Sequence, residues 1–407
     1  MRIFILFGCF ISTLYSDSFG DLLQKSLENN EKIRQIQYQI QILESQAQSQ
    51  AKWDNPNISL SYSNAEVPQP FNLSANEMQN IGIGITQNID MNGKRKLRSN
   101  LIKQQVQIKI LELKNLKNQY TFSLMQNIVN ASRDKHILKF TEDSLSNIST
   151  LLRGLQASNN FNPMQIQKLI LLKARLEIKK NELENALANS HIAISEISFE
   201  NLPQSFYGKL WDIMDIKTAL QNFTQMQEMD FVNEIMQSNY EIAITQLQNA
   251  ISRDSIRNAK KGFIPDLGVN FAYMFRIDRA DMFTLGISMP IPIWGKESEQ
   301  VREAHYQNLL QESQVLEVSN KVKHSAKTLF NKIKTLQNNL AIIDSLLIPA
   351  NQKIIDLYQH HVTSQSGAFL EFYTALNEQI EAEILRLQIL SDIVIAYYDL
   401  QSLKGEL

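Results

Sequence analysis

The chain has 407 residues, enough to bury a large core or to form an elongated assembly. Its formal charge of −2 leaves no basic footprint for nucleic acid, and its single cysteine excludes a disulfide framework. With only 13 glycines and 9 prolines it favours long uninterrupted helices, and its many scattered Asn and Gln residues fit polar helix surfaces.

The N-terminus, MRIFILFGCFISTLYS, has one arginine, a short apolar run and small residues near Ser16. This is the pattern of a secretory signal over 1–16, cleaved near Ser16–Asp17, and the run is shorter than the ~20 residues of a spanning helix. Leu6-Phe7-Gly8-Cys9 weakly mimics a lipoprotein box but leaves almost no apolar stretch ahead of it. Without this segment the mature chain has no cysteine, and so no thiolate metal site.

From about Phe19 to Trp53 apolar residues recur at three- and four-residue steps, which predicts one helix ending before Asn55-Pro56. Residues Asn57 to Ser63 then alternate, with Ile58, Leu60 and Tyr62 on one face and serines on the other. A proline-containing loop, 64–78, leads to a second alternating run. There Ile81, Ile83 and Ile85 oppose Gly82, Gly84 and Thr86. The turn glycine Gly93 opens a helix to about Arg153 with two apolar seams. One seam holds Leu97, Leu101, Ile108, Leu111, Phe122, Met125 and Val129, with Gln104, Asn115 and Asn118 in its polar slots. The other holds Ile102, Val106, Ile110, Leu113, Tyr120, Leu124 and Ile128. Two seams predict a helix with a neighbour on each side, as a ring of helices requires. A break from Gly154 to Pro163 precedes a returning helix, about Met164 to Ile197.

After a less regular join, the pattern restarts. A helix from about Glu228 to Lys260 precedes Pro265. Strand three places Leu267, Val269, Phe271, Tyr273 and Phe275 on one face; strand four places Phe283, Leu285, Ile287 and Met289 there. A turn at Gly295 opens a helix from about Lys296 to His360, interrupted near Pro349. A break at His361 to Gly367 and a last helix to about Leu403 complete the order. Gly84, Gly93 and Lys94 match Gly286, Gly295 and Lys296 at a spacing of 202 residues. Asn30, Ile33 and Pro56 match Asn239, Ile242 and Pro265 at 209, and Leu169 and Ala174 match Leu370 and Ala375 at 201. The chain therefore divides into a first repeat over 17–207, a joining segment over 208–227 and a second repeat over 228–407.

The fold class expected is mainly α with a small β part. Strands of ~9–11 residues with one apolar and one small or polar face suit a tilted membrane-crossing barrel. Four strands cannot close such a barrel, because open edges would leave backbone groups unpaired in hydrocarbon. The barrel must then be shared between copies of the chain.

This order of helix, two strands and two helices, performed twice, resembles the TolC-like outer-membrane efflux protein family over essentially the whole mature chain. The residues carrying the resemblance are the helix stops before Pro56 and Pro265, the turns at Gly93 and Gly295, the strand end Met289-Pro290-Ile291-Pro292, and Ala174 with Ala375. Gly93-Lys94-Arg95 followed by Arg98 looks like the cation-efflux branch, which serves heavy-metal pumps; the same lysines and arginines also fit a plain basic first helical turn. The resemblance implies a homotrimer in the outer membrane, its lipid around a twelve-stranded barrel and twelve helices forming a periplasmic tunnel. It implies a periplasmic adaptor and an inner-membrane pump of the resistance–nodulation–division type as partners, with passive transport in this component. The two helix breaks would form the periplasmic tip, making Gly154, Leu155, Pro163, Gln365 and Gly367 the candidate adaptor contacts. Of the family's acidic pair near the aperture, Glu371 fits the first place; Thr374 departs from the second, and Gln365 stands where a tip glycine is expected.

Other chemistry is sparse. His360-His361 are adjacent and point apart on a helix, and Met226, Met229 and Met236 have the spacing of a packing face. No HExxH, P-loop, GxSxG or GxGxxG setting occurs, so no enzyme, no cofactor and no resident metal is expected. The competing readings are a duct for drugs or secreted polypeptides, and a soluble periplasmic coiled-coil scaffold or adaptor. An adaptor would carry a β-domain between the halves of its helical hairpin, and Gly154 to Pro163 is too short for one.

Overall fold

A computed structural model describes residues 16–68, 70, 72, 76–157, 163–198, 227–358 and 366–407. The signal segment up to residue 15, the joining segment 208–227 except its last residue, His360, His361, Gln365 and Met226 lie outside the described residues. The described residues open with α1 (Ser16–Glu28) and α2 (Glu31–Ala51), where one continuous helix was expected. The break falls at Asn30, whose Oδ1 accepts the N–H groups of Lys32 at 3.0 Å and Ile33 at 3.2 Å. A side-chain acceptor that satisfies the first turn makes a new helix start cheaper than continuing the old one. The second repeat does the same. Helices α5 (Glu228–Ser238) and α6 (Tyr240–Lys260) part at Asn239, whose Nδ2 donates to the Leu403 carbonyl at 2.9 Å.

Between these helix pairs lie β1 (Asn57–Ser63), β2 (Asn80–Ile89) and α3 (Lys94–Gln156), followed by α4 (Pro163–Ser198). After α6 and a short 3-10 turn come β3 (Leu267–Phe275), β4 (Met282–Ser288) and α7 (Lys296–Ile342). A π-turn, Ile343–Leu347, then joins α7 to α8 (Ile348–Tyr358), and α9 (Ser366–Lys404) follows. Pro349 lacks the N–H that would bond the Ser345 carbonyl, so the ladder re-forms one residue wider there. Arg386 of α9 holds the turn from outside, its Nε 2.6 Å from Asp344 Oδ1.

The chain folds into two compact units, and each draws on both halves of the sequence. The first comprises residues up to Arg34, Lys114–Tyr240 and Asn320–Leu407; the second comprises Gln35–Leu113 and Glu241–Ser319. In the first unit both seams of α3 are occupied. Leu124 and Ile128 pack with Leu22 of α1 and Ile194 of α4, while Val129 packs with Val394 and Ile395 of α9. A polar slot is used as well: Asn118, 1% exposed, donates through Nδ2 to the Ser402 carbonyl at 2.6 Å. A buried amide of this kind fixes the register of one helix against another.

Burial in the returning helices corrects one sequence match. Leu169 is buried whereas Leu370 is exposed, and Ala174 is exposed whereas Ala375 is buried. A spacing of 200 instead of 201 pairs buried with buried: Leu169 with Phe369, Leu172 with Phe372, and Ile194 with Val394. One residue turns a helix by about 100°, so identity at 201 selects the wrong face.

Candidate functional site

In the second unit the strands form one antiparallel sheet in the order β1-β2-β3-β4. The registers align the apolar positions into rows that cross all four strands. Ile58 faces Ile85, Ile85 faces Phe271 and Phe271 faces Leu285; one step along, Leu60, Ile83, Tyr273 and Phe283 form the next row. All eight of these side chains are exposed, Leu60 to 81%. A contiguous apolar surface of this kind needs lipid or protein against it.

The opposite face carries Ser59, Gly84, Ala272 and Thr284 in one row and Asn57, Thr86, Asn270 and Gly286 in another. It is crowded. A Cβ on Gly82 would lie 2.6 Å from Ser61 Oγ, and one on Gly84 2.7 Å from Ser59 Oγ. Such crowding suits the concave side of a curling sheet, where only small residues fit. Among the described residues the outer edges of β1 and β4 have no partner strand. At one end of the sheet the two hairpins are clamped together, Arg279 Nη2 lying 2.6 Å from Glu77 Oε1. There Asp281 accepts the Tyr273 hydroxyl and the Arg276 N–H; these bonds hold its carboxyl below the usual carboxylate range.

The opposite end carries the strand-to-helix turns. Gly93 has φ +65° and Gly295 φ +72°, the left-handed region that glycine enters without strain, and the next residue in each case begins a helix. Asp90 organises the first turn. Its Oδ1 accepts the N–H groups of Asn92 at 3.2 Å and Lys94 at 3.0 Å, and its Oδ2 that of Arg95 at 2.9 Å. Burial pushes the Asp90 carboxyl up, but these three donors, with the Arg95 charge, outweigh it and bring the pKa down to about 2.

Lys94 Nζ reaches Asp266 Oδ1 at 3.0 Å, tying the start of α3 to the foot of β3. The Arg95 guanidinium lies 3.6 Å over the Trp53 ring, tying the same turn to the end of α2. Lys261 Nζ donates to the Asn92 carbonyl at 2.7 Å. The basic residues of the Gly93-Lys94-Arg95 motif are therefore engaged in joining elements. Asp90, Trp53, Lys261 and Asp266 were missed by motif reading; Asp90 caps donors 2 to 5 residues on, and Lys261 and Asp266 meet partners 169 and 172 residues away in sequence.

At the other helix ends, in the first unit, Leu155 is 4% exposed and packs with Ile166, Leu169 and Phe369. It holds α3, α4 and α9 together. Gly154 is exposed in the last turn of α3, with open space around its Cβ position, and Pro163 is exposed as the first residue of α4. Gly367 lies in the first turn of α9, and Glu371 is exposed one turn on. Met229 is 75% exposed and Met236 half-buried. Among the described residues no three His, Cys, Asp or Glu side chains are grouped to hold a metal ion, and no helix is long and apolar enough to cross a membrane.

No family model and no curated protein sequence matches the chain. Solved structures do. The outer membrane protein VceC of Vibrio cholerae aligns with a TM-score of 0.75 at 10% identity, covering 96% of this chain and 96% of VceC. The open state of the MtrE outer membrane channel of Neisseria gonorrhoeae aligns with a TM-score of 0.73 at 12% identity, covering 95% of this chain and 88% of MtrE. The channel protein CusC aligns with a TM-score of 0.68 at 16% identity, covering 96% and 92%. The chain has the TolC-like fold. At these identities the TolC-like fold is shared as backbone order, two helix–strand–strand–helix–helix passages around one sheet, and the side-chain chemistry of the junctions has to be read from this chain itself.

Proposed function

We propose that this chain is the outer-membrane exit duct of an efflux assembly. One observation carries the reading: a four-stranded sheet with an exposed apolar face, a small and polar face and two open edges, in a chain with the TolC-like fold. The apolar rows meet lipid and the small residues line the lumen. Copies of the chain supply the strands that close the barrel, since open edges are not tolerated in hydrocarbon. Three copies make the channel, and a periplasmic adaptor and an inner-membrane pump of the resistance–nodulation–division type supply contact at the tip and energy. The duct does no chemistry and conducts passively.

For cargo we propose heavy-metal cations, on the strength of the Gly93-Lys94-Arg95 and Arg98 motif. Since Lys94 and Arg95 are engaged in the junction, cargo choice rests with the pump. A deletion strain tests both levels. Hypersensitivity to zinc, cadmium, cobalt, nickel, copper or silver supports metal export; sensitivity to dyes and detergents alone keeps the duct and discards the metals. Recovery of the protein in the soluble periplasm, without detergent, would discard the duct. At the tip, exposed Glu371 is assigned to the aperture, where a ring of three carboxylates would favour cations. Glu371→Gln should lower cation selectivity in planar bilayers; unchanged conductance and selectivity would remove it from that role.

A further inference from the structure

The small and polar face of the sheet keeps to one pattern and breaks it at one place. Its rows run Asn57, Thr86, Asn270 and Gly286, then Ser59, Gly84, Ala272 and Thr284, then Ser61, Gly82, Met274 and Met282. Towards the helices Asn88, Gly268 and Ser288 form a further row. Every side chain in these rows is Gly, Ala, Ser, Thr or Asn except the two methionines.

The two exceptions are direct partners across β3 and β4. Residues directly opposed on one face of an antiparallel pair have Cβ atoms about 4.5–5.5 Å apart, so two flexible thioethers there can converge on one point. Packing does not account for them. Met282 is 36% exposed and Met274 half-buried, and their row continues into Gly82, which has no side chain to pack against. A Cβ on Gly82 would lie 2.6 Å from Ser61 Oγ and 3.7 Å from Met274 Cγ, so the serine hydroxyl and the methionine stem close over the glycine from either side.

A thioether is a soft, neutral donor that needs no deprotonation. It suits Cu(I) and Ag(I), whereas Zn²⁺ takes thiolate, imidazole or carboxylate ligands. The hairpin loops beyond this row, 64–78 and 276–281, carry Glu66, Glu77, Asp278 and Asp281 against only Arg276 and Arg279. Arg279 is paired with Glu77, and the Arg276 guanidinium donates to the Ala280 carbonyl at 2.8 Å. The excess of carboxylates favours a cation at this end of the sheet.

We propose that Met274 and Met282 form a thioether site for a soft monovalent cation, Cu(I) or Ag(I), at the hairpin end of the lumenal face. Two neutral donors hold the ion loosely, so it leaves as readily as it enters, as conduction requires. This rests on the duct reading above and names the class of cation that this end of the lumen receives.

The test uses the full chain in detergent and chloride-free nitrate buffer, with Cys9→Ala so that no thiol competes for metal. Hydrogen peroxide converts accessible thioethers to sulfoxides, which peptide mass spectrometry reads residue by residue. Ag⁺ should suppress oxidation at Met274 and Met282 and leave Met91, 59% exposed at the opposite end of the sheet, unchanged. Zn²⁺ should protect none of the three. In calorimetric titration Met274→Leu with Met282→Leu should lose one bound Ag⁺ per chain, and Met91→Leu none. Unchanged oxidation of the pair in Ag⁺ would overturn the site, and this readout needs no variant to fold. Equal protection by Zn²⁺ would overturn the assignment to soft cations. Either failure leaves the duct standing; the duct falls, and the lumenal placing of the pair with it, if the protein is recovered from the soluble periplasm without detergent.

Discussion

The turn from β2 into α3 and the turn from β4 into α7 share a left-handed glycine followed by a lysine, yet their surroundings differ. At the first, Asp90 caps three N–H groups, Lys94 pairs with Asp266, Arg95 covers Trp53 and Lys261 reaches the Asn92 carbonyl. At the second, Pro292 stands where Asp90 stands in the first, Trp294 is bare and, among the described residues, Lys296 has no ion pair; the helix start is held by Ser298 Oγ donating to the Gly295 carbonyl at 2.5 Å. The first turn sits at the seam between the repeats and finds its partners within the chain. The second sits beside an open sheet edge. The same local sequence is thus saturated on the inner side of the sheet and bare on its outer side.

The largest test is on the face that makes continuation necessary. Phe283→Arg places a charge in the middle of the apolar rows and should cost about 2–4 kcal/mol per copy in a bilayer. Membrane-inserted protein should fall sharply, read by outer-membrane fractionation. Less costly is the loss of the first turn's cap. Asp90→Ala should destabilise by about 1–2 kcal/mol in urea unfolding, and no substitution of Pro292 should cost as much.

The sign with pH follows from the lowered pKa. Because the folded value is about 2 against 3.8, Asp90 stabilises fully above pH 3.8, and this contribution disappears as pH falls through 2. Asp90→Asn should flatten that part of the acid-unfolding profile. A finer test compares paired glycines. Gly84→Ala forces Ser59 Oγ to move and should lower the unfolding midpoint, by about 1 kcal/mol. At Gly286 the nearest atom is Asn270 Cβ at 3.9 Å, so alanine there should be neutral within one chain or stabilise by about 0.5 kcal/mol. Smallest of all, Lys94→Met should cost up to ~1 kcal/mol by releasing Asp266, whereas Lys296→Met should leave the unfolding of monomeric chain unchanged.

The order of elements and the two faces of every strand were legible in the sequence, because strand alternation and helix seams are local patterns. The sequence placed Gly93 and Gly295 at helix starts for the same reason: a backbone requirement is written in the residue that meets it. It missed the breaks at Asn30 and Asn239, where a side-chain acceptor or a distant carbonyl takes over from the helix ladder. It aligned the returning helices one residue out, since a chance identity outweighs burial that only packing reveals. It read Lys94 and Arg95 as a motif, while their partners Asp266 and Trp53 became visible only once β2 lay beside β3 and α3 beside α2. Tertiary structure decided which half of each repeated contact is filled, because identical local sequence meets a different neighbour on each side of the sheet.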